Sequence, residues 1–475
     1  VSRVERSRDD TPVLVGAGQL TQRDVDPAAA LEPSAMMEAA ARRAAEDAGA
    51  GGALLARLDS VTVVNVFGWH YSNAPRLLGE RLGAHPAEER STTIGGNTPQ
   101  WLVNETAARI AAGRVRLALL AGAEALATIA RARRARATLR WSAQAGGEPT
   151  VVGDPRPGTN AHEIAHGLQL PSAIYPLFEN ALRARQGWSL DAHRARLGAL
   201  CARLSAVAAE HPHAWFRTPR NAAEIATVTP TNRMIAFPYP KYMNAMLEVD
   251  QTAAVLMTSV GEARALGIPP TRWVYLRGAA EAHDRWWVSE RADFASSLAI
   301  RAAGRHALSA AGLDLDRVDF LDLYSCFPCA VEITRDMLGI PADDPRSVTI
   351  TGGLPYFGGP GNNYAMHAIA TMMDRLRAAP GTTGLVTALG WYLTKHAIGV
   401  YGTTPPDATP PAPDDPQAEV DGAPPGPALA PAPRGRGTIE SYTVLHDRDG
   451  APLAAPIVGR LEDGRRFLAR APEDR

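Results

Sequence analysis

Three short stretches of this chain have residue types at spacings that chemistry uses. HEIAH sets His162 and His166 one helical turn apart around Glu163, the pattern in which two imidazoles hold zinc and a carboxylate acts as general base. Its flanks, RPGTN and GLQLP, allow little more than one turn of helix, so a short loop-domain helix with surface histidines is the expected reading. Glu179 is the carboxylate available as a third ligand, and a zinc metalloprotease is the alternative this stretch raises. Cys326 and Cys329 in LYSCFPCAV have metal or redox spacing, but two thiols supply half a site and Cys201 is distant in sequence. Two packed thiols are expected; the alternative is one reactive Cys326 at the C-terminal end of a strand. RARRARATLR, residues 131–140, suits either phosphates or a solvated helix face.

Two glycine-rich stretches have the other useful chemistry, that of exposed backbone N–H groups. In STTIGGNTPQW, residues 91–101, Gly95-Gly96 leads into a helix with Asn97 or Thr98 available as cap and Pro99 suited to the first turn. Such a helix start is where an enzyme places an anion or a nucleophile, yet no Cys or Ser stands at the hinge. GGLPYFGGPGNNYAMH, residues 352–367, matches neither a phosphate loop nor a dinucleotide fingerprint; Asn362 or Asn363 can cap the next helix.

These stretches need elements to position them. VLVGAGQ (13–19), LDSVTVVNVFG (58–68) and RLALLAGAEA (116–125) read as buried strands, with helices over 33–50 and about 99–112 between them. The order returns in WVYLRGAAEA (273–282), the helix and strand within 296–327, the helix after 358–363 and TGLVTALGW (383–391). A duplicated α/β unit with a parallel sheet covered on both faces is expected. The Arg-, Trp-, His- and Pro-rich region 127–245 reads as an inserted loop domain, and 246–268 closes the first half. Residues 404–437 are Pro-rich and should form an extended linker. Residues 438–475 carry three strand-like runs with Asp-Gly turns at 449–450 and 463–464. That small meander must dock on the body, pair with another chain or be truncated.

With 475 residues, 45% of them hydrophobic, the chain can build several cores. The 49 Lys and Arg balance 50 Asp and Glu, giving no reason to expect nucleic acid or an anionic membrane, and a small molecule is the default ligand. Three cysteines make no disulfide framework, and a cytoplasmic location is expected.

Together these stretches resemble the thiolase superfamily, its sterol-carrier-type branch and the type 1 thiolase-like proteins in particular, over about residues 10–403. DQTAAVLMTSVGEARALGI (250–268) is similar to a thiolase Asp-Gly-Ala-Ala-Ala segment, AARIAAGRVRLALLAGAEAL to the helix and strand after the nucleophile, and the 352–367 stretch stands where thiolases carry Gly-His-Pro. The resemblance implies a five-layered α-β-α-β-α fold of two halves, 10–126 with 246–268 and 269–403. It also implies that 438–475 is an added domain similar to a partial OB-fold. Acyl transfer by making or breaking a carbon–carbon bond next to a CoA thioester, in lipid metabolism, is the implied activity, and the protein is expected as homodimer or monomer.

Matched to the family motifs, the nucleophile position falls at Gly96 or Asn97, the Gly-His-Pro imidazole at Gly359, and the second thiol at Ala388. Tyr324 stands where the family has His, followed by Ser325, Cys326 and Phe327. Classical thiolysis or Claisen condensation is therefore not expected, and losing nucleophile and base together should remove several powers of ten in rate. An acyl-CoA pocket without a bound cofactor is the reading carried forward, with Asn97, Asn362, Asn363, Gly358 and Gly390 as its lining. Tyr324, Ser325, Cys326 and His396 remain as reactive candidates. The alternative is a non-catalytic acyl-CoA-binding scaffold that recruits a protein through the terminal domain.

Overall fold

The computed structural model describes residues 8–142, 144–406 and 415–471. Ten strands form one sheet in the order Phe320–Asp322, Thr383–Gly390, Lys395–Gly402, Val274–His283, Pro12–Thr21, Asp250–Ser259, Leu117–Ala125, Ser60–Val63, Glu88–Thr92, Thr150–Val152. Its two halves meet at Pro12–Thr21 and Val274–His283, joined by the pairs Val13 with Tyr275 and Leu14 with Val274. Outward from the join each half repeats the same sequence of relations: antiparallel, antiparallel, then parallel. The sheet is thus mixed, which corrects the expectation of a parallel one. Lys395–Gly402 follows Thr383–Gly390 through a four-residue turn, and a connection that short can only return antiparallel.

Alternation along the strands sends neighbouring side chains into different layers. Val13, Val15, Leu119 and Leu256 pack with Met37 and Ala41 of helix Pro33–Asp47. Leu14, Leu120, Val255 and Val386 pack instead with Leu102 and Ile110 of helix Thr98–Ala111 and Ile369 and Met372 of helix Tyr364–Ala378. Leu321 and Leu385 face helices Leu298–Ala310 and Pro328–Leu338. Helices outside, two half-sheets and a shared helical centre make five layers, α-β-α-β-α. The glycines of the opening strands let the outer helices approach: a Cβ on Gly18 would lie 2.8 Å from Ala44 N, and one on Gly278 2.7 Å from Ala311 N.

The region 127–245 is largely helical, yet it also supplies strands. Thr150–Val152 pairs with Glu88–Thr92 and covers the edge of the large sheet, while Met234–Ala236 and Tyr239–Pro240 join a second sheet. That sheet is completed by Gly437–Tyr442, Leu445–His446, Pro452–Leu461 and Arg466–Ala471, with Leu445 paired to Ala236. The terminal meander therefore docks on the body. Fully buried Arg466 anchors it, donating to Glu440 Oε2 at 2.7 Å and to Ser289 O at 3.1 Å. The Pro-rich stretch is not extended throughout: Pro416–Asp421 is a helix, and Gln417 bonds both backbone groups of His283. Residues 407–414 of that stretch lie outside the described residues. Among the described residues, no helix is long and apolar enough to cross a membrane.

Candidate functional site

The two central helices start side by side, and the loops that lead into them are tied together. Gly95 N–H donates to Asn362 Oδ1 at 2.9 Å, and Asn362 Nδ2 donates to Asn65 O at 3.0 Å. Asn363 Nδ2 reaches Gly122 O at 2.7 Å. The two asparagines, expected as caps or ligand contacts, thus tie the second-half loop to backbone of the first half, and the Asn363 side chain caps nothing. Asn97 makes no cap bond either; the Thr98 hydroxyl turns back to Gly95 O at 2.8 Å.

The positions that the thiolase resemblance marks differ in how much room they have. A Cβ on Gly96 would overlap the Tyr324 hydroxyl and fall 2.6 Å from Leu389 O, so the space beside the backbone is already filled. At Gly359 a Cβ would have its nearest neighbour, Leu354 Cδ2, at 3.3 Å. Ala388 borders a void of about 10 Å³ shared with Tyr324, Leu389 and His396, at the lower limit for one water. Gly358, at φ +113°, needs to be glycine, and Gln251 packs against it.

The reactive candidates are engaged in the framework. Ser325 Oγ accepts from Leu354 N–H at 3.3 Å. Burial pushes the Cys326 thiol up to about 12, an environment that disfavours the thiolate a reactive cysteine needs. Burial likewise pushes the Tyr324 phenol upward. His396 Nε2 lies 3.1 Å from Leu393 O and 3.4 Å from Asp284 Oδ2. Burial alone would raise the Asp284 carboxyl, but the hydrogen bond from His396 and the charge of Arg291 outweigh it and hold it below the usual range.

Two cavities open beside these loops, of about 390 and 410 Å³, with Thr93 and Asp154 in the walls of both. The first is walled by Val63, Val64, Val66, Ile94 and Trp391, with Arg156 at its side. The second is lined by Asn97, Thr98, Trp101, Trp286, Lys395 and His396, among others. Gly390 lies under it, where a Cβ would overlap Asn97 Oδ1. Asn97 is 8% exposed and its Oδ1 has no hydrogen-bond partner. An apolar slot beside a chamber with an amine and a free amide oxygen is what this arrangement offers a ligand.

The crystal structure of a monomeric SCP2-thiolase-like protein type 1 from Mycobacterium smegmatis is similar to this chain at 38% identity, over 98% of this chain and 92% of that one, with a TM-score of 0.84. This chain belongs to the thiolase-like protein type 1 family. A model of the thiolase-like protein type 1 additional C-terminal domain matches residues 415–475, which takes in the helix Pro416–Asp421 as well as the meander. An Ltp2-ChsH2(DUF35) aldolase shares the fold at 17% identity, over 83% of this chain and 98% of that one, with a TM-score of 0.61. So does an acetyl-CoA acetyltransferase from Syntrophomonas wolfei, at 16% identity, 82% and 98% coverage and a TM-score of 0.59. No curated protein matches the chain.

In this thiolase-like protein the remaining motifs have structural tasks. Glu163 forms a capping box with Asn160 at 2.9 and 3.1 Å and accepts from Ser289 N–H at 2.8 Å, so its carboxylate is engaged in holding backbone. Glu179, the third-ligand candidate, accepts from the Tyr239 hydroxyl at 2.6 Å. Among the described residues, no group of three His, Cys, Asp or Glu is placed to hold a metal ion. Arg131, first of the arginine run, pairs with buried Asp250 at 2.9 Å rather than facing a phosphate. The site residue that motif reasoning passed over is Lys395, beside His396. Its signal is rarity: lysine occurs at only two positions in the chain, 241 and 395.

Proposed function

We propose that this thiolase-like protein binds an acyl-CoA or related thioester at the start of its central helix and carries out no thiol-based thiolysis or condensation there. The observation that carries the reading is the Tyr324 hydroxyl packed against Gly96: of the two matches to the family's nucleophile position, Gly96 has no room for a thiol and Asn97 carries an unreactive amide. The adjoining cavities support retained binding, because the apolar slot suits an acyl or pantetheine arm and Arg156 and Lys395 favour an anionic or carbonyl-bearing ligand. We also read the protein as a monomer. Thr150–Val152 covers the first-half sheet edge through which thiolases pair, and the similar M. smegmatis protein is described as monomeric. The docked terminal domain does not favour a tethered recruiting module.

Calorimetric titration of acetyl-CoA, acetoacetyl-CoA and free CoA, paired with a thiolysis assay, tests the reading. Binding without turnover is expected. Absence of binding overturns the ligand class, and turnover overturns the loss of thiol chemistry.

A further inference from the structure

Lys395 is one of two lysines among 49 Lys and Arg residues. Arginine, which stays protonated, meets almost every need for a fixed cation in this chain; an amine differs in that it can lose its proton and act as a nucleophile. Lys241 is exposed, whereas Lys395 is 7% exposed and lines the larger cavity.

The surroundings of Lys395 do not resemble those of a structural ion pair. Its Nζ donates to Ile94 O at 2.7 Å and lies 5.9 and 5.7 Å from the ring centres of Trp286 and Trp391. The nearby carboxylate, Asp154, is taken by Arg156 at 2.6 Å. Asn97 Oδ1, buried and without a donor, sits in the same space: a Cβ on Gly390 would overlap it and lie 2.9 Å from Lys395 Cε. The turn that presents the lysine holds Trp391 at φ +55° and Leu393 at φ +54°, left-handed conformations that side chains other than Gly rarely adopt and that concentrate at functional sites.

We propose that Lys395 is a covalent carbonyl-binding site, whose amine forms a Schiff base with a ketone or aldehyde held in the larger cavity. The Nζ lone pair forms the C–N bond while the carbonyl π pair moves onto oxygen. A proton then passes from nitrogen to that oxygen to give a carbinolamine. Departure of the oxygen as water, after it takes up a further proton from solvent, leaves the protonated imine. Asn97 Oδ1 is the acceptor for the carbinolamine hydroxyl, and the two indole faces favour the cationic imine. Burial lowers the Lys395 amine to about 8, so near neutral pH its uncharged fraction exceeds that of a free lysine by about two orders of magnitude. Trp101, Trp286 and Ala282 in the cavity wall suit an aliphatic or aromatic carbonyl compound. This site does not depend on the thioester reading.

The test treats the full chain with butanal, and separately with acetoacetate, in the presence of cyanoborohydride at pH 7.5, then maps the adducts by mass spectrometry. With two lysines and one terminal amine there are three places to look. Alkylation at Lys395 at least tenfold faster than at exposed Lys241 is expected, unchanged in Lys241→Arg and lost in Lys395→Arg. Adducts confined to Lys241 and the terminal amine would overturn the proposal. Because the decisive map comes from the unsubstituted chain, it does not require the Lys395→Arg protein to fold.

Discussion

The Tyr324 hydroxyl and Gly96 are packed so closely that neither tolerates a side chain between them: a Cβ on Gly96 would lie 2.8 Å from Tyr324 Cζ as well as overlapping the hydroxyl. Gly96→Cys must displace a buried ring or the Leu389 carbonyl. A loss of about 1–3 kcal/mol, the usual range for overpacking, is expected in chemical or thermal unfolding. With Tyr324→Ala in the same chain the two losses should be less than additive, because the truncated ring leaves the space that the added thiol needs. Asn97→Cys replaces a side chain that already faces the larger cavity, so it is the variant expected to be acylated by acetyl-CoA. A Gly96→Cys protein as stable as the parent, carrying an acylated thiol, would contradict this packing.

Cys326 and Cys201 share one property, that burial pushes both thiols up to about 12. Against an ordinary cysteine near 8.5 this lowers the thiolate fraction by about three powers of ten at neutral pH. Iodoacetamide should therefore leave all three cysteines of the native chain unlabelled over a time that labels a free thiol fully, and label all three after unfolding. Selective labelling of Cys326 in the native state would restore it as a reactive residue.

The duplicated order of strands and helices is legible in the sequence because each half repeats the same periodicity, down to the glycines that admit the outer helices. The strands Thr150–Val152 and Met234–Ala236 are not, since three residues contain too little alternation to read. At the site, the residue types at 96, 324, 359 and 388 can be matched to motifs. That Tyr324 fills the space at Gly96 cannot be read in this way, because it depends on contact between the two halves. Asn362 and Asn363 do stand beside a helix start, as their position in the sequence suggests, but long-range bonds to Gly95 and Gly122 take the place of local capping. Lys395 belongs to no motif, and only its rarity marks it. Composition likewise hides the docking of the terminal domain, which rests on the pairing of Leu445 with Ala236 and on Gln417 and Arg466 reaching distant backbone groups.

Lys395 also gives stability a pH dependence whose sign can be worked out. Its amine falls from 10.5 to about 8 on folding, so between these values the unfolded chain binds more protons and stability rises with pH. Below pH 8 the buried charge costs roughly 3 kcal/mol, at about 1.4 kcal/mol for each tenfold loss of proton affinity. Lys395→Met removes that cost and leaves a pH-independent loss of the Ile94 bond. The melting temperature of the variant relative to the parent should therefore be higher at pH 7 than at pH 10. Parallel curves across that window would mean that the amine is not desolvated.

Arg466 gives the last prediction, because one fully buried side chain links the terminal sheet to the body. It donates to Glu440 within its own domain and to the carbonyls of Ser289, Arg291 and Ala292 in the body. Burial alone would raise the Glu440 carboxyl, but Arg466 and Arg460 outweigh it and hold it below the ordinary range. A depressed folded value means that this contribution is present at neutral pH and is lost as pH falls through it. Arg466→Met removes the charge and leaves the buried Ser289 and Arg291 carbonyls without this donor, a loss of about 3–5 kcal/mol. Hydrogen exchange read by mass spectrometry should speed up across 437–471 while Thr383–Gly390, a strand of the large sheet buried along its whole length, keeps its protection. The same acceleration should appear in the parent chain on acidification and be much weaker in the variant. Uniform acceleration over both sheets would instead mean that the terminal domain and the body unfold as one unit.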